Sequence, residues 1–230
     1  MQFPSIRRIL TVKPAIIFDM DGVLIDSQPL HYEIDMRVLK ACGYPAEFST
    51  VTPYTGLSNQ SRWPKYKENF NLSPSAERLI EMSEEAMRDI FNEADLAAID
   101  GIPALLQGIK DMGLYCGVAS ASPLELVQLV LNRIRLSKYF DGITPVEEVT
   151  ASKPAPDIYL RAAAKAGLPP GQCIAIEDSP AGILSAKNAG FTCIAYKNPS
   201  TVGQVFTHAD YVIDHFDECL AIIKKRHCTL

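Results

Sequence analysis

Ala15-Ile16-Ile17-Phe18-Asp19-Met20-Asp21-Gly22 is the stretch on which the reading of this chain turns. Its first four residues are apolar and rich in strand formers, which suits a strand buried on both faces in the middle of a parallel sheet. The run then ends abruptly on two carboxylates. Side chains alternate along a strand, so Asp19 and Asp21 leave it on the same side. Two carboxylates at the mouth of an apolar strand repel each other and are costly to desolvate. A hard divalent cation such as Mg²⁺, which prefers oxygen ligands, relieves both penalties. Gly22 permits a sharp turn directly afterwards. Asp-Gly is also an ordinary turn signal, and acids collect at strand ends because they are soluble there, so this stretch alone leaves a plain turn open.

Moving outward, residues 29–41 carry helical periodicity through Leu30, Ile34, Val38 and Leu39, and Cys42-Gly43 ends it. Residues 47–71 are less regular and hold Thr55-Gly56-Leu57-Ser58-Asn59 and the single tryptophan, Trp63. A long amphipathic helix is expected up to Glu93, with Ser73 as its N-cap and Pro74 in its first turn. From 29 to 95 no buried strand is expected. Beyond that the pattern alternates. Strands are expected at 114–119, 142–146, 173–176, 191–196 and 211–213. Helices are expected at 102–112, 123–134, 157–166, 180–188 (with Gly190 as C-cap) and 216–225. Such alternation implies right-handed βαβ units and a parallel sheet. The expected fold is α/β: a Rossmann-like, doubly wound parallel sheet core from residues 1–26 plus 97–230. Residues 27–96 form a small helical cap inserted after the first strand.

With 230 residues the chain can hold one large domain or a domain plus a smaller insert. A net charge of −5 argues against nucleic acid as a partner. No apolar run approaches the length of a membrane span, and the run after Pro14 is too short for a signal peptide and is broken by Asp19. The six cysteines are scattered, without CxxC spacing, so free thiols in a reducing cytoplasm are expected.

In open α/β sheets, function gathers at the carboxyl ends of the strands. That rule picks out Asp19 and Asp21, Ser120, and the pair Glu177-Asp178. Ser120 lies beside a helix start, where a hydroxyl and free N–H groups favour phosphate, although a plain capping role is equally open; Ser122 is the better N-cap of the two. Lys153, in Ser152-Lys153-Pro154, is placed on a stiff segment where it can neutralise both a carboxylate and a bound phosphate. Glu177 and Asp178 add oxygens to a Mg²⁺ site with Asp19 and Asp21, and their alternative is to cap the next helix. Together these groups suit phosphoryl transfer. Asp19 attacks phosphorus, Asp21 protonates the leaving alcohol and then activates water, and Mg²⁺ with Lys153 offsets charge.

The ordered segments Asp19-Met20-Asp21-Gly22-Val23-Leu24-Ile25-Asp26-Ser27, Val118-Ala119-Ser120-Ala121-Ser122, Ser152-Lys153-Pro154 and Ile176-Glu177-Asp178-Ser179-Pro180-Ala181-Gly182 resemble the four motifs of the haloacid dehalogenase superfamily. They resemble in particular its branch of β-phosphoglucomutase-like enzymes and sugar-phosphate phosphatases. The resemblance implies that Asp19 is the nucleophile and Asp21 the acid/base. It implies Mg²⁺ held by Asp19, the Asp21 backbone carbonyl and Asp178, with Glu177 as a further or outer ligand. It assigns phosphate binding to Ser120, the Ala121 backbone and Lys153, and it implies a monomer.

For the cap, the resemblance points to His31 near the leaving group and to Gly56 and Asn59 in a loop that selects substrate. β-Phosphoglucomutase carries an arginine in that loop; here Asn59 stands there and the nearest arginine is Arg62. That enzyme also carries a cap lysine, absent here around Met82. Trp63 and Tyr66 are expected in the cap core rather than stacked on a sugar. The first expectation is therefore a Mg²⁺-dependent phosphatase acting on a hexose or related sugar phosphate through an aspartyl-phosphate. A sugar-phosphate mutase is the alternative. A non-catalytic phosphate-binding module is disfavoured by the presence of a nucleophile.

Overall fold

The structure, a computed structural model, describes residues 13–55, 57–201 and 204–227. Gly56, expected in the cap loop, lies outside the described residues. Strand β1 (Ala15–Phe18) is followed by four helices: α1 (Gln28–Ala41), α2 (Phe48–Val51), α3 (Asn59–Asn69) and α4 (Ala76–Glu93). Alternation then sets in with α5 (Ile102–Asp111), β2 (Tyr115–Ala119), α6 (Leu124–Arg133) and β3 (Gly142–Thr144). It continues with α7 (Asp157–Ala166), β4 (Cys173–Glu177), α8 (Pro180–Asn188), β5 (Thr192–Tyr196), β6 (Tyr211–Ile213) and α9 (Asp217–His227).

The strands form one parallel sheet in the order β3-β2-β1-β4-β5-β6. β1 is central, between β2 and β4, and all four of its residues are buried. Alternation sends Ile16 and Phe18 to the core shared with α5, α6 and α9, and Ala15 and Ile17 to the one shared with α7 and α8. Covering both faces is what requires unbroken apolar strands. It also leaves the carboxyl ends of the strands as the place where polar side chains can emerge.

The cap helices pack on one another, with α1 and α3 against α4. Trp63 and Tyr66 are fully buried among Tyr54, Phe70 and each other, so they are core residues as expected. Two local expectations are corrected. Residues 59–69 are a regular helix although Pro64 lies within it, and its polar sequence shows few buried positions besides Trp63 and Tyr66. The N-cap of α4 is Ser75, whose hydroxyl accepts the Arg78 N–H at 3.2 Å, not Ser73. Lys67 explains the shift: its ammonium donates to the carbonyls of Leu72 (2.9 Å) and Pro74 (2.7 Å) and so holds them out of the helix.

Two connections join cap and sheet, and they run side by side. Ile25 forms an antiparallel bridge with Ala98, and the Ile99 N–H donates to the Leu24 carbonyl at 3.0 Å. Arg133, at the end of α6, donates to the carbonyls of Asn92 and Ala94, each at 2.7 Å. These carbonyls belong to the last turn of α4 and the residue after it, where intrahelical donors run out. Arg133→Met is therefore expected to lower the unfolding free energy by about 1 kcal/mol, a typical net hydrogen-bond contribution at an exposed site. Urea denaturation measures this; an unchanged midpoint would show that water replaces the guanidinium without loss.

Candidate active site

Asp19 continues the sheet ladder with its own N–H, which donates to the Ile176 carbonyl at 2.9 Å, and its side chain turns inward, nearly buried. The chain then reverses through Met20, whose carbonyl accepts from Leu24, and Gly22 takes φ +76°. Glycine is required at this point twice over. A side chain disfavours that φ, and a Cβ would stand 2.1 Å from Asp178 Oδ2. The turn after β1 and the end of β4 can meet only because that atom is missing.

Lys153 sits between the two strand ends. Its ammonium is 2.9 Å from Asp19 Oδ1 and 2.6 Å from Glu177 Oε1. Glu177 is fully buried, and both its oxygens are engaged. Oε1 also accepts from the Tyr159 hydroxyl at 2.7 Å; Oε2 accepts from the N–H groups of Asp178 and Ser179 and from the Ser179 hydroxyl. Ser179 in turn caps α8 by accepting the Gly182 N–H at 3.0 Å. A Cβ on Gly182 would fall on the Glu177 carboxylate, so this approach also depends on glycine.

Asp21 lies under the cap. His31 Nε2, on α1, is 3.4 Å from its Oδ1, and the Ser122 hydroxyl donates to Oδ2 at 3.2 Å. Ser122 is thus a site residue and not the expected N-cap. Pro123 occupies the cap position of α6, and the Glu147 carboxylate accepts the Leu124 N–H there. The Ser122 N–H donates to the buried Ser120 hydroxyl at 3.0 Å, and Ala121 is exposed between them.

A segment after β5 closes the far side. Asn198 Nδ2 donates to the Gly22 carbonyl at 3.0 Å, and Gln204 Nε2 to the Asp178 carbonyl at 2.9 Å. Asn198, Gln204, Ser122 and Tyr159 were not anticipated. For Asn198 a signal existed: the strand-mouth rule, applied to β5, points to it. Of the expected residues, Asp19, Asp21, His31, Ser120, Lys153, Glu177 and Asp178 come together at the ends of β1, β2 and β4. Asn59 does not reach them. Its amide is held within the cap by Arg62 (2.6 Å) and, more loosely, by Ser83 (3.5 Å).

The carboxyl groups are pushed in opposite directions. Burial, reinforced by Glu177, raises Asp19 to about 7, against the opposing pull of Lys153. Burial, with Glu177 and Asp19, also raises Asp178 well above the usual carboxylate range. Burial would raise Asp21 too, but hydrogen bonds from His31, Ser27 and Ser122 outweigh it and hold Asp21 below its ordinary value. Lys153 is raised: burial disfavours its charge, and Asp19 and Glu177 more than compensate. Pairs of carboxyls driven apart in this way divide into acid, base and nucleophile roles. Oxygens of Asp19, Glu177 and Asp178 lie within 4.8 Å of one another; those of Glu177 are taken up by donors, and the Asp19 and Asp178 carboxylates offer the oxygen ligands a hard divalent cation prefers. A cleft of about 480 Å³ opens elsewhere, between the two cap connections, and none of these carboxylates lines it.

The haloacid dehalogenase-like hydrolase family profile matches residues 16–196. Hexitol phosphatase B of Escherichia coli (strain K12) is 32% identical over 212 residues, covering 90% of this chain and 94% of that protein. The crystal structure of CbbY from Rhodobacter sphaeroides in complex with phosphate superposes with a TM-score of 0.78 at 27% identity, covering 90% of this chain and 96% of that one. A β-phosphoglucomutase structure from Clostridium difficile gives 0.78 at 25% identity, covering 95% and 98%. Parallel sheet, inserted cap and strand-end carboxylates agree with these matches: the chain belongs to the haloacid dehalogenase-like hydrolase family, as an enzyme of its phosphatase branch.

Proposed function

We propose that the enzyme hydrolyses a hexose or related sugar phosphate in a Mg²⁺-dependent reaction, through a phosphoryl ester on Asp19. The observation that carries this reading is the buried contact between the Asp19 carboxylate and the Lys153 ammonium, beside a second carboxyl tuned the opposite way. A carboxylate approaches a phosphate dianion only where positive charge offsets the repulsion, and Lys153 supplies part of it. Mg²⁺, held by Asp19, Asp178 and the Asp21 backbone carbonyl, would supply the rest. Glu177 has both oxygens occupied by donors, so its role is to hold Lys153 and the start of α8 in place rather than to ligate metal directly. Ser120 and the Ala121 backbone bind phosphate oxygens.

In the first step an Asp19 oxygen bonds to phosphorus as the phosphorus–oxygen bond to the sugar breaks, and the leaving oxygen takes a proton from Asp21. In the structure described above, hydrogen bonds from His31, Ser27 and Ser122 hold the Asp21 carboxyl below its ordinary value. A bound phosphate brings negative charge close by and so favours the protonated form needed for that transfer. In the second step Asp21 accepts a proton from a water that attacks phosphorus, freeing Asp19 and inorganic phosphate. His31 and Ser122 hold Asp21 in position for both steps. The hexitol specificity in the name of the Escherichia coli relative supports the substrate class. No described helix is long and apolar enough to cross a membrane, and Cys42, Cys116, Cys173, Cys193 and Cys219 are free thiols, in keeping with a cytoplasmic enzyme.

Asp19→Asn is expected to abolish phosphate release while leaving the circular dichroism spectrum unchanged; normal turnover in that variant would sink the mechanism. On a panel of sugar phosphates with Mg²⁺, inorganic phosphate should be the product, fastest from a hexose or hexitol phosphate. Isomerised sugar phosphate with little free phosphate would favour a mutase instead.

Stability should respond to pH through Asp19. Its carboxyl lies at about 7 in the metal-free folded protein against 3.8 as the ordinary value. Between about pH 4 and pH 7 the folded state therefore keeps a proton that the unfolded chain has lost, and this contribution to stability falls as pH rises through that window. Thermal melts in chelator are expected to show Asp19→Asn gaining on wild type by more at pH 8 than at pH 5. An equal difference at both would show that no buried charge is carried at Asp19.

A further inference from the structure

Lys153 and Tyr159 reach the site from one stretch of chain, the loop before α7 and the first turn of that helix. Both end on the same oxygen. Glu177 Oε1 accepts from the Lys153 ammonium at 2.6 Å and from the Tyr159 hydroxyl at 2.7 Å. The Tyr159 ring also lies under the ammonium, with its centroid 5.4 Å from Nζ. One side chain thus meets both members of an ion pair, the acid with its hydroxyl and the cation with its ring face. The ring is fully buried, and Phe191 abuts it edge-on at 5.2 Å between centroids. A phenylalanine would fill this space with no polar atom to satisfy, so packing alone does not call for the hydroxyl.

An ammonium has three protons to place. Those of Lys153 face three acceptors: Glu177 Oε1 at 2.6 Å, Asp19 Oδ1 at 2.9 Å and the Ala119 carbonyl at 3.5 Å. Two carboxylates therefore compete for one cation, and the shorter contact is to Glu177, the fully buried one. A hydrogen bond donated to a carboxylate stabilises its charge without help from the cation. The Tyr159 hydroxyl does this at the very oxygen that Lys153 meets. Without it, Oε1 would depend on the ammonium alone and would draw it further from Asp19. The longest of the three contacts, to the carbonyl directly before Ser120, is the one that an incoming phosphate oxygen most easily replaces.

We propose that Tyr159 is a positioning residue for Lys153: by sharing Glu177 Oε1, its hydroxyl keeps the ammonium between Asp19 and the bound phosphate instead of drawn onto Glu177. This rests on the reading above in which Lys153 offsets the charge of the phosphate. Tyr159 acts through Glu177 and Lys153, and its effect falls on the phosphoryl group whatever alcohol carries it.

The test uses the full chain with Mg²⁺ and inorganic phosphate as the probe. Calorimetric titration gives the phosphate Kd of wild type, Tyr159→Phe, Lys153→Met and the double variant. Tyr159→Phe keeps the ring and removes only the hydroxyl. It is expected to weaken phosphate binding by roughly fivefold, the scale of one net hydrogen bond. In the Lys153→Met background the same change should move Kd by less than about twofold, because no ammonium is left to place. An equal loss in both backgrounds would show a merely structural role, and unchanged or tighter binding in Tyr159→Phe would show none; either overturns the inference. Kinetics supply a second check that needs no Lys153 variant. KM for p-nitrophenyl phosphate and for a hexose 6-phosphate should rise in Tyr159→Phe by one common factor. A fall in kcat at constant KM, the mark of a smaller folded fraction, overturns the inference, as does a rise on the sugar phosphate alone. Phosphate affinity unchanged in Lys153→Met overturns the reading of Lys153, and this inference with it. Affinity lost in Lys153→Met but intact in Tyr159→Phe overturns this inference alone.

Discussion

Lys153 has to satisfy two buried carboxylates at once, and much of the site is arranged around that requirement. A single ammonium between Asp19 and Glu177 makes it tolerable to bring β1 and β4 together with acids at both mouths. Unpaired, each charge would face a desolvation cost of several kcal/mol. Glu177 is the fixed end of the arrangement, held by Tyr159 and by the backbone at the start of α8. Asp19 is the freer end: among the described residues, Lys153 is the one cation that meets its carboxylate. Among the described residues, five donors hold Glu177 and one holds Asp19, so Glu177 is the more firmly placed of the two.

The same crowding explains why small residues stand where they do. Gly22 and Gly182 each remove a Cβ that would collide with a carboxylate from a neighbouring strand end. Close approach of backbone to an acid is what lets Asp19, Glu177 and Asp178 share a space only a few ångströms across. Asn198 and Gln204 then hold the outer rim through backbone carbonyls, so the loop after β5 fixes positions without adding charge to a site already rich in it.

Much of this was legible in the sequence, for a physical reason. Strands buried on both faces must be apolar throughout, so Ala15–Phe18 and Cys173–Glu177 announce themselves, and so do the acids that interrupt them. The acids at those interruptions, Asp19, Asp21, Glu177 and Asp178, stand out by the same signal, and the structure brings them together. What escaped notice depends on partners remote in sequence. Ser122 looked like a helix cap because its neighbour is proline; it is drawn instead to Asp21, a residue on another strand end. Ser73 looked like a cap until Lys67 claimed the carbonyl of Pro74. Helix α3 hides a proline and shows few apolar positions, and its stability comes from burying Trp63 and Tyr66 against residues that no local pattern identifies. The ion pair between Asp35 on α1 and Arg62 on α3 was invisible for the same reason: each residue alone is an ordinary charge on a helix.

The central place of β1 bears on how the molecule is made. Ala15 pairs with Tyr115 on one side and with Cys173 on the other, with the whole helical cap in between. The strand that ends on Asp19 is therefore made well before either of its neighbours exists. Contacts of such long sequence separation form late and slowly, after loop-closure entropy has been overcome. In the interval an apolar strand with two open edges is exposed to the wrong partners. The acids at its end sit beside that exposed segment throughout synthesis and keep one end of it soluble.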